Sequence, residues 1–298
     1  MSYQQTLKKL VIMKTKIILF GMFLSFLSIG CNKDDNNSRS TMSVEEATAN
    51  TKMDIANDDV SKVVEDQLGV EDGISGRGIT GIQGFLPACA TVTRIPEFGT
   101  VIEAGTLITK TIDFGTTGCP LANGNVLKGQ IIITFNYQPT ATSHTINYQF
   151  VGFYHNAILF EGNKSFTRIM SVASASVPSH PIVTMNLDMT ATFPSGKIYH
   201  RIGTRVREIV AGYETAILVD NVYNVTGSWT TTFPNTTVQN SAISSPLVVK
   251  LSCANIVQGV ITSTRNGNTS TLDYGNGDCD NLAVFIFNGI AHNIILGN

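Results

Sequence analysis

The chain of 298 residues carries 20 basic and 22 acidic side chains, and this near balance, with a formal net charge of −2, argues against a nucleic-acid partner. Charged residues make up only 14% of the chain, against a usual level of about 25%, whereas 43% are hydrophobic. Threonine, asparagine and serine therefore provide most of the polar surface, which suits the β-sheet surfaces of secreted proteins. The hydrophobic fraction is high enough for a full core in a body of about 210 residues.

The first 30 residues are predicted to form a signal peptide. Lys14 and Lys16 precede an apolar run that begins at Ile17, and small residues lead to Cys31. A positive segment, a short apolar segment and small residues before the cut are typical of a cleavable secretory signal and not of a membrane-spanning helix. Residues 1–30 are therefore expected to be removed from the mature protein.

The end of this segment, Leu27-Ser28-Ile29-Gly30-Cys31, resembles the lipobox of bacterial lipoproteins. The resemblance implies that Cys31 becomes the lipidated first residue, so that the membrane is a partner through this lipid. Met13 is the preferred start, because a compact signal follows it directly and residues 1–12 then form an upstream extension. A start at Met1, with a long positive segment, is the alternative.

The residues that follow Cys31 indicate where in the cell the protein is located. Lys33, Asp34 and Asp35 resemble the surface-export signal of Bacteroidota lipoproteins, a lysine and paired acids just after the lipidated residue. This resemblance implies an outer-membrane lipoprotein that faces the cell exterior. A generic polar linker is the alternative interpretation.

Residues 31–85 are predicted to form an acidic, partly helical tether. Residues 31–73 hold 11 acidic and 4 basic side chains, a net charge of −7 that favours a solvated, extended segment. Ser43 and Glu46 fit a helix capping box. An apolar stripe at helical spacing indicates a short amphipathic helix, packed on the body or loosely ordered. The stripe consists of Val60, Val63, Val64 and Leu68.

From residue 86 to residue 298 the apolar side chains repeat with a period of two, which indicates strands with one buried and one solvated face. Asn266-Gly267 and Asn288-Gly289 are typical of two-residue hairpin turns. The prediction is an all-β domain, an antiparallel meander that forms a sandwich or a closed or half-open barrel. The alternation is clearest over residues 131–137, 183–193 and 223–233.

A repeat connects the cysteines of this domain. Residues 89–119 and 253–279 each begin with Cys-Ala and end with Thr-x-Asp-aromatic-Gly-x-x-x-Cys. An even number of cysteines in an exported protein implies disulfides, and four cysteines allow three pairings. Duplicated units are expected to keep their own bridges, which favours Cys89–Cys119 and Cys253–Cys279. A zinc site is disfavoured because no pair has the two-residue spacing of a zinc knuckle.

The repeat carries a second resemblance. The Thr-x-Asp-Phe/Tyr-Gly-x-x-x-Cys segment and the closing run Asp-Tyr-Gly-Asn-Gly-Asp-Cys-Asp-Asn are similar to those of uncharacterised Bacteroidota surface lipoproteins of the flavobacterial type. The resemblance covers most of residues 86–298. It implies an exported β-rich surface protein and brings no known activity.

No motif in the chain predicts catalysis or a cofactor. The five histidines lack metal-binding spacing, and no Gly-x-Ser-x-Gly elbow is present. One loop crowds Asp273, Asp278 and Asp280 together, which makes it a weak candidate for calcium. The first repeat has no matching acids, so a polar turn held by a disulfide is the preferred interpretation.

The segment after residue 196 contains a candidate ligand surface. Lys197, Arg201, Arg205 and Arg207 share one parity, and isoleucine and valine occupy the other. If the segment is one strand, these cations line a solvent-facing stripe for an anionic glycan or a lipopolysaccharide phosphate. A solvated strand face without a ligand is the alternative.

These observations predict a lipid-anchored, surface-exposed protein that is not an enzyme and that binds a glycan or another envelope component. The alternatives are a structural envelope lipoprotein without a ligand and a hydrolase whose site the sequence does not reveal.

Overall fold

A computed structural model describes most of the chain. The described residues are 42–71, 85–175, 177–215 and 217–297. None of the helices among them is long and apolar enough to cross a membrane. The lipidation and export residues predicted from the sequence lie outside the described residues: Cys31, Lys33, Asp34 and Asp35.

The fold is an antiparallel β meander with one long helix, and the predicted fold class is confirmed. The helix α1 spans Val44–Glu71, and a short 3₁₀ helix spans Leu218–Asp220. The strands are β1 Thr91–Ile95, β2 Leu107–Asp113, β3 Cys119–Pro120, β4 Val126–Asn136, β5 Ser143–His155, β6 Ile158–Met170, β7 Pro181–Thr192, β8 Ile198–Ala211, β9 Val222–Thr232, β10 Val238–Lys250, β11 Gln258–Arg265, β12 Asn268–Asn276, β13 Leu282–Phe287 and β14 Ile290–Ile295.

The strands pair in chain order into one open sheet. The only departure is β3, which pairs with β4 beside the main path while β2 also pairs with β4. The path ends at β1 and β14, so the sheet does not close. The two Asn-Gly turns have positive φ at both residues, 49° and 78° at Asn266 and Gly267 and 51° and 75° at Asn288 and Gly289, as predicted for primed hairpin turns.

The helix differs from the predicted tether. Its capping box is present, since the Ser43 and Glu46 side chains each accept a hydrogen bond from the other's backbone N–H at 3.2 Å. Residues 53–57 are all at most 5% exposed, and five consecutive residues cover the whole circumference of a helix. The middle of the helix, residues 53–64, is therefore part of the domain core and not a tether on its surface. Val60, Val63 and Val64 pack in that core, and the side chain of Leu68 is outside the described set.

Two hydrophobic clusters explain the burial of α1. In one cluster, Met53 and Val64 pack with residues of β2 and β4–β8. In the other, Ala47 and Ile55 pack with residues of β9–β14, including Trp229. The open sheet therefore covers the helix from two sides, an arrangement that fits a half-open barrel around a central helix.

The cysteine repeat is structural. The predicted pairs Cys89–Cys119 and Cys253–Cys279 are within disulfide distance, with Cα separations of 5.7 and 5.3 Å, so the predicted pairing is confirmed. One unit contributes β1 and β2 and the other β11 and β12, near opposite ends of the sheet.

Each unit also repeats one turn. The carboxylate of Asp113 accepts a hydrogen bond from the N–H of Gly115 at 2.7 Å, and Asp273 does the same for Gly275 at 2.9 Å. Both glycines have positive φ, a conformation that costs glycine nothing. The turn directs the repeat's aromatic residue, Phe114 or Tyr274, into the core.

Candidate functional site

The predicted basic stripe does not face solvent. Arg201, Arg205 and Arg207 are at most 5% exposed and point at α1. The alternate residues of the same strand take the outer face, and Ile198 and Ile202 are each about half exposed. The hypothesis of an accessible anionic-ligand stripe is therefore wrong. The physical reason is that α1 brings carboxylates to the inner face, which makes burial of these cations tolerable.

Lys197 is the exception in this group. Its ammonium group lies 2.6 Å from the Glu45 carboxylate, and both side chains are substantially exposed. A single exposed ion pair contributes little to stability and leaves one cation at the surface. One lysine does not make the predicted stripe.

Asp54 is the centre of the buried charges. Its Oδ1 accepts a hydrogen bond from Arg201 at 2.6 Å and a second, shorter one from Arg205, and its Oδ2 accepts one from the Tyr274 hydroxyl at 3.2 Å. The two guanidinium groups also lie 4.9 and 4.4 Å from the ring centre of Trp229. Burial, followed by the nearby Asp54 charge, raises the pKa of Tyr274 well above its usual value. The phenol therefore stays neutral and acts as a donor.

The buried charges of α1 and those of the strands that face it have opposite signs. Among the described residues, every buried lysine and arginine lies on a strand, and both buried aspartates lie on α1. Arg207 lies 3.2 Å from Glu65, and Arg265 lies 3.1 Å from Glu46. Lysines bind polar groups of the helix without a full counter-charge: Lys164 donates to the Asn57 side chain at 2.7 Å, and Lys110 donates to the Gln67 carbonyl at 2.6 Å.

This environment changes the protonation of the groups inside it. Burial, and then the positive charges of Arg205 and Arg201, lower the pKa of Lys164 well below its usual value. Burial would raise the pKa of Asp58, but Lys62 and the arginines hold it below its ordinary value. The inner face is thus a closed, internally neutralised interface and offers no open surface to a charged ligand.

A second cluster surrounds Asp59 of α1. Its carboxylate accepts hydrogen bonds from Asn123 and Asn125, both at 2.8 Å, and from Nε2 of His155 at 2.9 Å. A histidine oriented by a buried aspartate is a known catalytic pair, but it needs a nucleophile. The cavity beside His155 has no serine, threonine or cysteine in its lining. The cluster therefore orients His155 without forming a hydrolytic triad.

A wide depression lies on the outer face of the sheet, across β4–β7, and has a volume of about 570 Å³. Strand register sets its side chains in two rows. The first row runs Thr134, Asn147, Ser165, Asn186, and the second runs Ile132, Gln149, Asn163, Asp188. Adjacent strands lie about 4.8 Å apart, so each row presents a polar group at nearly every step.

Two breaks in strand register lie in the strands that line the depression. The β4–β5 pairing shifts between Lys128 and Gln130, and the β5–β6 pairing shifts between Gln149 and Phe153. Such bulges bend a strand and increase its twist. At the first shift, Gly129 has a φ of 78°, and a Cβ there would lie 2.0 Å from the carbonyl oxygen of Gly152. Glycine is therefore required at this bend.

The polar side chains of the depression differ in whether they already bond to other protein groups. Asn186 bonds to Ser165 and Thr204, and Asp188 accepts a hydrogen bond from His200 at 2.8 Å. By contrast, the side-chain amides of three exposed residues have no hydrogen-bond partner among the described residues: Asn147, Gln149 and Asn163. Sequence reasoning missed this site. The alternation of polar and apolar residues along each strand predicts that these side chains face outward. Their alignment into rows across the sheet depends on the register between strands.

The candidate calcium loop is held by its own backbone. Asp273 accepts from the N–H of Gly275 and Asp280 from the N–H of Leu282, both at 2.9 Å, while the N–H of Asp278 bonds to Asn276. Within the described parts of the chain, no three histidine, cysteine, aspartate or glutamate side chains lie close enough to hold a metal ion. The loop is a polar turn beside the Cys253–Cys279 bridge.

Comparison with known proteins identifies no relative: no family model matches the chain, and no curated protein or solved structure matches it. Its function must therefore be inferred from the chemistry of its own residues.

Proposed function

We propose that this protein is a lipid-anchored, surface-exposed binding protein without catalytic activity, and that it binds a neutral glycan in the outer depression across β4–β7. The observation that carries the proposal is the pair of polar rows in this depression, with three side-chain amides that lack protein partners. Each amide offers a donor and an acceptor in one plane, which matches vicinal sugar hydroxyls.

The charge of the depression favours a neutral ligand over an anionic one. Asp188 is the single acidic residue of the lining, and the single basic one, Lys164, points to the inner face and bonds to α1. An anionic glycan would meet no accessible cation there. The three arginines of the predicted cationic stripe, which suggested an anionic ligand, are buried.

The expected affinity is weak. The only aromatic residue in the lining is Tyr148, whose side chain is buried on the inner face, so no aromatic ring is available for stacking. Three to five hydrogen bonds at about 1 kcal/mol each give about 4 kcal/mol, which corresponds to a Kd on the order of 1 mM. Repeated sugar units, or several copies of the protein on one surface, would raise the apparent affinity.

Binding is tested by replacing Asn147, Gln149 and Asn163 together by alanine. These side chains are exposed, so the variant should keep its thermal stability and lose binding to neutral hexasaccharides such as laminarihexaose and maltohexaose, measured by NMR titration. The control variant replaces exposed amides away from the depression: Gln258, Asn281 and Asn293. Unchanged binding in the test variant, or a wild type that binds polygalacturonate and no neutral glycan, would contradict the proposal.

The anchor is tested separately. Cys31→Ala should release the protein from membranes, because the lipid is its proposed attachment. Replacing Lys33, Asp34 and Asp35 by alanine should leave the protein lipidated but protected from protease added to intact cells. Membrane fractionation and whole-cell proteolysis measure both. A wild type that resists protease on intact cells and is degraded after lysis would rule out surface exposure.

A further inference from the structure

A separate cavity of about 230 Å³ lies at one end of the helix-filled core. It is bounded by α1, the turn before β4, the β5–β6 and β7–β8 hairpins and the end of the chain, and it shares no lining residue with the outer depression. Its lining consists of Lys52, Ile55, Asn125, His155, Asn156, Ala157, Ile158, Phe193, Pro194 and Gly297.

One part of the lining is apolar. Ile55 and Ile158 are each 5% exposed, and Phe193 is partly buried and packs against the core. Pro194 and Ala157 complete this surface. A wall of this kind favours the apolar body of a small molecule, because water in contact with it is released on binding.

The other part brings together a lysine and an oriented histidine. Lys52, on α1, is partly buried and has no ion pair or hydrogen bond with any described residue, whereas Lys62 of the same helix lies 2.7 Å from Asp58. A partly buried lysine that no carboxylate of the described residues pairs with can gain a partner from an anion that enters the cavity.

His155 is fixed in position by the cluster behind it. Because Asp59 is a hydrogen-bond acceptor, Nε2 of His155 carries the hydrogen of their 2.9 Å bond. The Nδ1 atom has no partner among the described residues, and the residue lines the cavity while being only 2% exposed. Nδ1 can therefore accept a hydrogen from a hydroxyl or acid group.

We propose that this cavity binds a small organic acid with an apolar body. The carboxylate lies against Lys52, and the apolar part packs against Ile55, Ile158 and Phe193. At the packing density of a protein interior, the volume accommodates about eight to ten non-hydrogen atoms. Benzoate and hexanoate have this size and chemistry. This site is independent of the glycan site on the outer face.

Titration calorimetry of the full chain with sodium benzoate and with sodium hexanoate tests the proposal. At least one of the two should bind saturably with one ligand per chain, and binding should weaken as salt is added. Benzylamine has the ring of benzoate with the opposite charge and should not bind. Lys52→Gln should weaken binding at least tenfold with an unchanged melting temperature, because this side chain has no hydrogen bond or ion pair with a described residue.

Two control variants separate this site from others. Lys128→Gln removes a partly buried lysine outside the cavity and should leave binding unchanged. The triple alanine variant of the outer depression should also bind benzoate as the wild type does, so failure of the glycan proposal leaves this one standing. Absence of saturable binding of both acids, or equal affinity in wild type and Lys52→Gln, would overturn the proposal.

Discussion

Replacing Asp54 by asparagine is expected to lower the free energy of unfolding by about 3–5 kcal/mol, the range for breaking a buried ion pair. The carboxylate is fully buried and bonds to Arg201, Arg205 and Tyr274. Without its charge, the two guanidinium groups remain in the core and lose the one carboxylate that pairs with them among the described residues. The loss of stability arises mainly from these unneutralised buried cations and less from the hydrogen bonds themselves.

Glu45→Gln is the matched control, because it removes a carboxylate from the same helix at an exposed position. Its partner Lys197 is 44% exposed, and an exposed pair contributes about 0–1 kcal/mol. Guanidinium unfolding followed by circular dichroism measures both variants. A loss of less than 1 kcal/mol for Asp54→Asn, similar to that of the control, would mean that the helix is not held by its charges.

Removing either disulfide should destabilise the protein by about 3–4 kcal/mol, according to the chain-entropy estimate for loops of this size. The paired cysteines are separated by 30 residues in Cys89–Cys119 and by 26 in Cys253–Cys279, so the two losses should be similar. Alanine is the suitable replacement, because Cys119 and Cys253 are buried and a serine would add a buried hydroxyl.

Thermal and guanidinium unfolding of the two double-alanine variants measure these losses. Non-reducing peptide mapping of the wild type provides the covalent control. A peptide that joins Cys89 to Cys279, or Cys119 to Cys253, would disprove the pairing and with it the equivalence of the two repeat units. A loss below 1 kcal/mol for one bridge would mean that its loop is already constrained in the unfolded chain.

The inner face explains why the charge pattern of this chain is unusual. A helix with Asp54, Asp59 and Glu65 is inserted against a sheet that presents arginines and lysines. Replacing such an interface with apolar residues is often neutral or stabilising, so stability alone does not account for it. We infer that the charges specify the register of α1 against β8, since a shift along the helix would separate Asp54 from Arg201 and Arg205.

Local features of the structure follow directly from the sequence. The alternation over residues 183–193 predicts the strand β7, because the backbone of a strand points successive side chains to opposite faces. Asn266-Gly267 and Asn288-Gly289 predict their turns, since both residues must adopt positive φ. The repeat predicts the two disulfides because each pair closes within one unit.

The face that each strand buries is not a local property. On β8, the pattern of Arg201, Arg205 and Arg207 against Ile198 and Ile202 favours the isoleucines as the core side, but the structure buries the arginines. A hydropathy scale ranks residues by their preference for water or for an apolar medium, and the part of the inner face beside β8 is neither kind of environment. It is lined by carboxylates and amides of α1. The residues of this helix that bond to Arg201 and Arg205 lie more than 140 positions before them in the chain.

The candidate sites depend on the same long-range order. The amides of Asn147, Gln149 and Asn163 form rows because β5 and β6 pair in one register, and Lys52 and His155 line one cavity because the helix lies against the sheet. The clearest strands, the two Asn-Gly turns, the helix cap and the covalent pairing are predictable from the sequence, since each depends on neighbours within one element or one repeat. Which faces are buried and which polar groups converge emerges only from the folded chain, because burial is a relation between segments that are distant in the sequence.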